Sequence, residues 1–175
     1  LQLPCGVVIN NRLCKSAMTE RLSGPDYKAN DLHFHLYERW AKGQAGLMVT
    51  GNIMVDKRSM ESAGNIALED MSGVEALQKL AQIGTAKGQH FWVQISHPGR
   101  QTMKLVNARP VSASDVQLKK MGLFNKPRPM TLDEIEDLIQ RYRFTAKQCK
   151  AAGFTGIQIH AAHGYLVSQF LSPTT

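Results

Sequence analysis

The chain has 175 residues, 21 basic and 14 acidic side chains for a formal net charge of +7, and 43% hydrophobic residues. That length and composition fit one globular domain with a core and exclude a disordered or low-complexity chain. No apolar run approaches the roughly 20 residues that cross a bilayer, and the first residues do not form a signal peptide, so no membrane partner is predicted.

The cysteines and the basic charge bear on location and partners. Cys5, Cys14 and Cys149 are odd in number and scattered, unlike a disulfide framework or a zinc ribbon, so a reducing, cytoplasmic location is predicted. The positive charge is compatible with nucleic acid. A solvated basic surface that meets an anionic ligand is the simpler interpretation, because charge alone reports on partners and not on fold.

Four times, a short apolar run is followed by a polar loop and an amphipathic helix pattern, which favours parallel βα units over a sandwich or a bundle. The first strand is predicted over 12–18, and the first helix from about Asp31 to Gly43. The apolar stripe of that helix comprises His33, Leu36, Tyr37 and Trp40.

The second and third strands are predicted over 46–50 and 91–95, where nearly every residue is apolar, as in strands covered on both faces. Ser72 and Glu75 have the spacing of a capping box and predict the start of the second helix there. The predicted buried stripe of that helix comprises Leu77, Leu80, Ala81 and Gly84.

A long loop then runs to about Met130, and loops of that length are usually functional or disordered. Thr131 and Glu134 form a second capping box, which begins the third helix, and Gly153 ends it. Its predicted buried face comprises Ile135, Leu138, Ile139, Tyr142, Ala146 and Cys149. The fourth strand is predicted over 156–159.

Successive βα units of this kind predict an α/β fold, the (β/α)8 TIM barrel, which normally needs about 250 residues. Four strands cannot close such a barrel, so the chain is expected to supply about the first four units of one domain spanning 1–175. The chain begins at Leu1 without methionine, and both ends are expected to be truncated. A flavodoxin-like open sheet is the alternative, although no glycine-rich phosphate loop follows the first strand.

Ligands of parallel βα proteins bind at the carboxyl ends of the strands. The candidate residues at those ends are Ala17, Met18, Thr19, Thr50, Gly51, Asn52, Gln94, His97, Arg100, His160, His163 and Tyr165. These polar groups suit a planar heterocycle, and none forms a nucleophile–base–orienter triad. His160 and His163 have the spacing of a metal pair, but no third ligand is suitably spaced, so no metal site is predicted.

Several segments resemble the old yellow enzyme family. The most specific are 94–101, QISHPGRQ, and 160–173, HAAHGYLVSQFLSP; weaker matches lie in 11–19 and 46–51. The resemblance spans essentially the whole chain. It implies an FMN-dependent NAD(P)H:flavin oxidoreductase on a (β/α)8 barrel, with NADH or NADPH as the reductant and an α,β-unsaturated carbonyl compound as the substrate.

The resemblance also implies a role in FMN binding for several residues after the first three strands. Met18 and Thr19 would lie along the flavin edge near N5 and O4, and Gln94 would meet the pyrimidine O2 and N3. Gly51 would let its backbone approach the isoalloxazine, since any side chain would intrude. Ala17 stands where many relatives have proline, which loosens the turn beneath the flavin without removing a donor.

The fourth strand is followed by the residues that the resemblance implies for chemistry. His160 and His163 would hydrogen-bond the substrate carbonyl oxygen and stabilise the enolate charge that develops on hydride transfer. Tyr165 would protonate the α-carbon as a general acid. The family places an arginine after strand five and builds its phosphate site from loops after strands seven and eight, and all of these lie outside these 175 residues.

Two other classes of function are weighed against this interpretation. One is a catalytically inert half-barrel that forms a homodimer by pairing strand edges, since the fourth strand would have unpaired backbone groups. The other is a nucleic-acid-binding module that uses the basic surface, although no sequence-specific contact is predicted. The ene-reductase interpretation is preferred because the long motifs support it.

Overall fold

A computed structural model describes residues 1–175 and contains a four-stranded parallel sheet. In chain order the elements are β1 (Cys14–Lys15), α1 (Asp31–Lys42), β2 (Leu47–Met54), α2 (Val74–Thr85), β3 (His90–Ser96), β4 (Val111–Ser112), β5 (Arg128–Pro129), α3 (Leu132–Ala151), β6 (Gly156–Ile159) and α4 (Leu166–Leu171). The sheet order is β1-β2-β3-β6, so its strands lie side by side in chain order. A flavodoxin-like sheet reverses direction at a switch point, and this one does not, as expected of successive barrel units.

The core lies between the sheet and helices α1, α2 and α3. Phe91 of β3 is at the centre of the core. Its ring centroid lies 5.1 Å from that of Tyr37 of α1 and 5.0 Å from that of Phe154. A Cβ on Gly84 would overlap the Phe91 ring, so α2 approaches the sheet closely there. The predicted stripe of α2 is confirmed, because Leu77, Leu80, Ala81 and Gly84 are all buried.

Helix α1 begins where it was predicted. The Asn30 side chain accepts the backbone N–H of Leu32 and His33, while Nδ1 of His33 accepts the backbone N–H of Asn30. This capping box satisfies N–H groups that the first helical turn leaves without partners. His33 is buried, whereas His35, two residues later, is exposed.

Three local predictions need correction. β1 pairs with β2 only at Cys14 and Lys15, so it is far shorter than 12–18, and β2 extends to Met54 rather than ending at residue 50. The capping box at Ser72 is not formed. Instead the Asp70 carboxylate accepts the Ser72 N–H and caps a 3-10 turn, Met71–Gly73, that leads into α2.

Helix α3 has the predicted capping box, with Thr131 and Glu134 satisfying each other's backbone N–H groups. Leu138 and Cys149 are buried as predicted, but Ile139 is 45% exposed. Thr145 is buried instead, because its hydroxyl donates to the backbone oxygen of Leu68 at 2.8 Å. None of the helices combines the length and apolar composition needed to cross a membrane.

The predicted long loop contains two ordered features. A 3-10 turn covers Gly99–Gln101, and β4 and β5 pair as a short parallel ladder just before α3. Helix α4 was not predicted, because six residues are too few to show helical periodicity.

Candidate active site

β2 is irregular where it reaches the rim of the sheet. Its register with β3 shifts between Val49 and Asn52, so Thr50 and Gly51 form a bulge. The Thr50 hydroxyl accepts the backbone N–H of Gln94 at 3.0 Å and replaces a lost ladder bond. A glycine inside an apolar strand is the sequence signal of such a bulge.

Gly51 lies against protein groups beneath the rim. Its N–H donates to the Glu20 carboxylate at 2.8 Å, and the Tyr37 hydroxyl donates to the same carboxylate. A Cβ on Gly51 would overlap both that carboxylate and the backbone oxygen of Met18. These contacts alone require glycine here, and the contact of Gly51 with a flavin stays a prediction.

The carboxyl ends of β1, β2, β3 and β6 converge on a cavity of about 110 Å³. Its lining residues are Ala17, Met18, Thr19, Asn52, Gln94, His160, His163 and Tyr165. The structure therefore brings together most of the candidate residues at the strand ends, whereas Thr50, Gly51, His97 and Arg100 do not line this cavity. Ligand pockets usually measure about 300–1,000 Å³, so this cavity is smaller than a usual ligand pocket.

Asn52, which the sequence analysis named only as a candidate at a strand end, organises the floor of this cavity. Its Oδ1 accepts the Thr19 hydroxyl at 2.9 Å and Nδ2 of Asn65 at 3.1 Å. With Oδ1 occupied in this way, the Asn52 amide N–H groups remain as donors beside Gln94, its partner in the β2–β3 register. Adjacent amides and a hydroxyl match the alternating donors and acceptors along the edge of a planar heterocycle.

Three aromatic rings form the opposite wall. The His160 ring centroid lies 5.0 Å from that of His163 and 4.7 Å from that of Tyr165, and both pairs are edge to face. Nδ1 of His160 accepts the backbone N–H of Ala162 at 3.3 Å, so a neutral His160 carries its proton on Nε2. Burial, and then the neighbouring His163, lower the pKa of His160 and favour that neutral form.

The turn that carries His163 has an uncommon backbone conformation. His163 has φ of 57° and Gly164 has φ of 72°, both left-handed. A non-glycine residue there costs about 1–3 kcal/mol and persists only where its surroundings hold it. The His163 backbone oxygen accepts Nε2 of Gln101 at 2.7 Å, which is one such restraint.

Tyr165 is a hydroxyl donor at neutral pH. Burial, followed by the nearby Glu61 carboxylate, raises the pKa of Tyr165 to about 12. Glu61 belongs to the loop after β2 and lies 3.7 Å from the guanidinium of Arg21 in the loop after β1. Sequence reasoning missed Glu61, because only the folded loops bring it to the site.

His97 and Arg100 do not line the cavity. His97 is buried, and its Nδ1 accepts the Gly99 N–H at 3.0 Å, while burial lowers the pKa of His97 to about 4. The Arg100 guanidinium donates to the backbone oxygen of Val116. Both residues therefore hold the structure of the loop after β3.

The comparisons with known proteins agree with this geometry. The NADH:flavin oxidoreductase / NADH oxidase family matches residues 5–175. The NADH-dependent flavin oxidoreductase nadA of Aspergillus parasiticus is 38% identical over 94% of this chain and 40% of its own length. The NADH-dependent flavin oxidoreductase iliE of Hypocrea jecorina is 32% identical over 100% of this chain and 48% of its own length. The chain thus spans less than half the length of these relatives.

Solved structures show the same fold. The old yellow enzyme homologue from Zymomonas mobilis superposes with a TM-score of 0.86 at 24% identity, over 95% of this chain and 49% of that one. Morphinone reductase superposes with a TM-score of 0.86 at 23% identity, over 94% of this chain and 48% of its own chain. The prediction that this chain supplies part of a TIM barrel is confirmed.

Proposed function

The chain belongs to the NADH:flavin oxidoreductase / NADH oxidase family, and from that membership we propose that it carries the substrate-activating part of an FMN-dependent ene-reductase. The reaction would reduce the C=C bond of an α,β-unsaturated carbonyl compound with electrons from NADH or NADPH. The observation that supports it is the edge-to-face cluster of His160, His163 and Tyr165 on one wall of the rim cavity.

The floor of the cavity suits FMN. Met18, Thr19 and Gln94 would hold the flavin edge, with Ala17 beneath it. The side-chain amides of Asn52 and Gln94 would supply hydrogen-bond donors and acceptors to the flavin pyrimidine ring. Bound FMN would take electrons from the nicotinamide cofactor and supply the hydride that the β-carbon of the substrate receives.

His160 and His163 would bind the carbonyl oxygen of the substrate. His160 offers Nε2–H, because its Nδ1 already accepts the Ala162 N–H. Two donors placed where negative charge develops stabilise an enolate, and one such donor is typically worth about 10²–10³ in rate. The left-handed His163 backbone fixes the second ring beside the first.

Tyr165 would complete the reduction by giving its hydroxyl proton to the α-carbon of the enolate. A pKa of about 12 keeps the phenol protonated at neutral pH, so the proton is available when the enolate forms. General acid catalysis of this kind contributes typically about 10²–10⁴ in rate.

A phenol titration tests this assignment. Phenols that bind over oxidised flavin give a long-wavelength charge-transfer absorbance, and their oxygen would take the place of the substrate carbonyl. We expect the holoenzyme with His160→Ala and His163→Ala to lose that absorbance. His35→Ala, an exposed histidine of α1, is the control that retains it. Retained absorbance in the double variant contradicts the proposal.

A second candidate is self-association, which the sheet edge favours. β6 pairs only with β3, and Ile159 on it is 57% exposed, while Leu171 of the adjacent α4 is 72% exposed. A strand edge with apolar side chains is a template for pairing with another copy. Sedimentation velocity of the chain tests this candidate, which predicts a dimer and is contradicted by a monomer at micromolar concentration.

A further inference from the structure

The side chain of Gln169, in α4, is buried, with 1% of its surface exposed. Its Oε1 accepts the Ser112 hydroxyl at 2.8 Å and the Arg100 backbone N–H at 3.3 Å. Its Nε2 donates to the backbone oxygens of Pro98 at 3.2 Å and Gly164 at 2.7 Å. Both amide hydrogens and both acceptor positions of one side chain are therefore used.

The backbone around Gln169 leaves room for this amide. Gly99 has φ of 58°, and a Cβ on it would overlap the Gln169 amide group. The N–H of Leu166, at the start of α4, donates to the backbone oxygen of His97 at 3.0 Å. A buried polar network whose members are all satisfied rigidifies its surroundings.

These bonds join two parts of the chain that are distant in sequence. Pro98 and Arg100 lie at the start of the long segment between β3 and α3, and Ser112 lies in β4 within it. Gly164 lies between His163 and Tyr165. The shortest of the four bonds therefore restrains the left-handed turn that carries two of the three rings in the cavity wall.

We propose that Gln169 is a positioning residue, whose buried amide fixes the His163–Tyr165 turn against the long segment after β3. This inference rests on the proposed function in one respect, that His163 and Tyr165 meet the substrate. The amide itself touches neither of those side chains and acts through the Gly164 carbonyl group.

Gln169→Leu removes all four hydrogen bonds at nearly constant volume. Thr102→Val is the matched control, because the buried Thr102 hydroxyl donates to the Gly99 backbone oxygen at 2.8 Å in the same loop and makes no hydrogen bond with Gln169. Hydrogen–deuterium exchange over residues 162–170 measures the turn without requiring any cofactor. We expect faster exchange there in Gln169→Leu and unchanged exchange there in Thr102→Val.

Phenol affinity of the holoenzyme provides the second measurement. A displacement of about 1 Å can cost on the order of 100-fold, so Gln169→Leu should weaken phenol binding by about 10- to 100-fold at unchanged FMN content. A merely structural role would lower thermal stability in both variants and leave phenol affinity of the folded fraction unchanged. Unchanged exchange over 162–170 together with unchanged phenol affinity overturns the inference.

Ser112→Ala keeps the proposal testable if Gln169→Leu does not fold. It removes one donor from the loop side and leaves the other three hydrogen bonds of Gln169, so phenol affinity should fall by about 2- to 10-fold, less than in Gln169→Leu. Unchanged affinity and exchange in Ser112→Ala would then overturn the inference. A wild-type holoenzyme without phenol absorbance refutes the proposed function instead, and the exchange measurement still decides the role of Gln169.

Discussion

Nε2 of Gln94 donates to Oε1 of Gln158 at 2.7 Å, across the register that pairs the two residues on β3 and β6. On its other side Gln94 is paired in register with Asn52 of β2. Three amide side chains thus follow one another across three neighbouring strands. Gln158 takes one of the two amide hydrogens of Gln94, which leaves the other hydrogen and Oε1 for a ligand.

Gln94→Leu should weaken FMN binding by about 10-fold or more, because two hydrogen bonds of about 1 kcal/mol each would be lost. Equilibrium titration of the apoprotein, followed by flavin fluorescence, measures this dissociation constant. Gln158→Leu is the control, since Gln158 does not line the cavity and only orients Gln94; its effect should be smaller. Equal affinity in wild type and Gln94→Leu would show that this amide does not contact the flavin.

Gly51→Ala should destabilise the fold by about 1–3 kcal/mol, the usual cost of overpacking, because its methyl group would overlap the Glu20 carboxylate and the Met18 carbonyl oxygen. Urea denaturation measures the change in the free energy of unfolding. Gly73→Ala is the control, since its added methyl would lie 3.4 Å from Leu68, an ordinary contact. Similar stability of the two variants would refute the close packing beneath the bulge.

The pH dependence of Tyr165 depends on the charges that face it. Glu61 raises the pKa of Tyr165 and Arg21 lowers it, while His160 and His163 adjoin the ring. Glu61→Gln should therefore lower the pKa of Tyr165 below about 12, although burial, the largest cause, keeps it above the ordinary tyrosine value of 10.0.

Ultraviolet titration of tyrosinate formation tests this shift, with Tyr165→Phe subtracted to assign the signal. Glu75→Gln, an exposed carboxylate of α2, should leave the titration unchanged. The expected sign is an earlier appearance of tyrosinate as the pH rises in Glu61→Gln. A pKa of Tyr165 that stays the same or rises would show that Glu61 does not act on the phenol.

The elements that the sequence predicted well are those with local signals. The capping box at Thr131 and Glu134 and the apolar stripe of α2 each depend on residues within one helix. β1 could not be bounded in the same way, since the end of a strand depends on its partner, and only Cys14 and Lys15 pair with β2. Ile139 was misplaced because periodicity does not show which face of α3 meets the sheet.

The position of the site at the rim of the sheet was also predictable, because parallel strands place their carboxyl ends at the same edge of a sheet. Asn52 was named only as a candidate at a strand end and Glu61 was missed, since their roles depend on a bulge and on the packing of two loops. The N–H of Ser23 donates to the Gly64 backbone oxygen at 3.0 Å, and this contact brings Glu61 beside Arg21. Such contacts between distant segments leave no periodic signal in the sequence.

The first turn of α3 supplies a test of stability against pH. The Glu134 carboxylate binds the Arg128 guanidinium through two hydrogen bonds and accepts the Thr131 N–H at 2.9 Å. These bonds, that to Arg128 foremost, lower the pKa of Glu134 from 4.5 to about 2. A depressed pKa means that the stabilisation is present above about pH 4.5 and is lost as the pH falls through about 2.

Glu134→Gln should accordingly lower the free energy of unfolding at pH 7 by about 0.2–1 kcal/mol, the range measured for solvent-exposed ion pairs. The difference from wild type should narrow as the pH falls from about 4.5 towards 2, because protonated Glu134 no longer carries the charge that Arg128 binds. Urea denaturation at several pH values measures both effects. Asp133→Asn, the exposed neighbouring carboxylate, is the control and should show a smaller difference at pH 7. A difference for Glu134→Gln that is constant over this range would show that charge does not stabilise the start of α3.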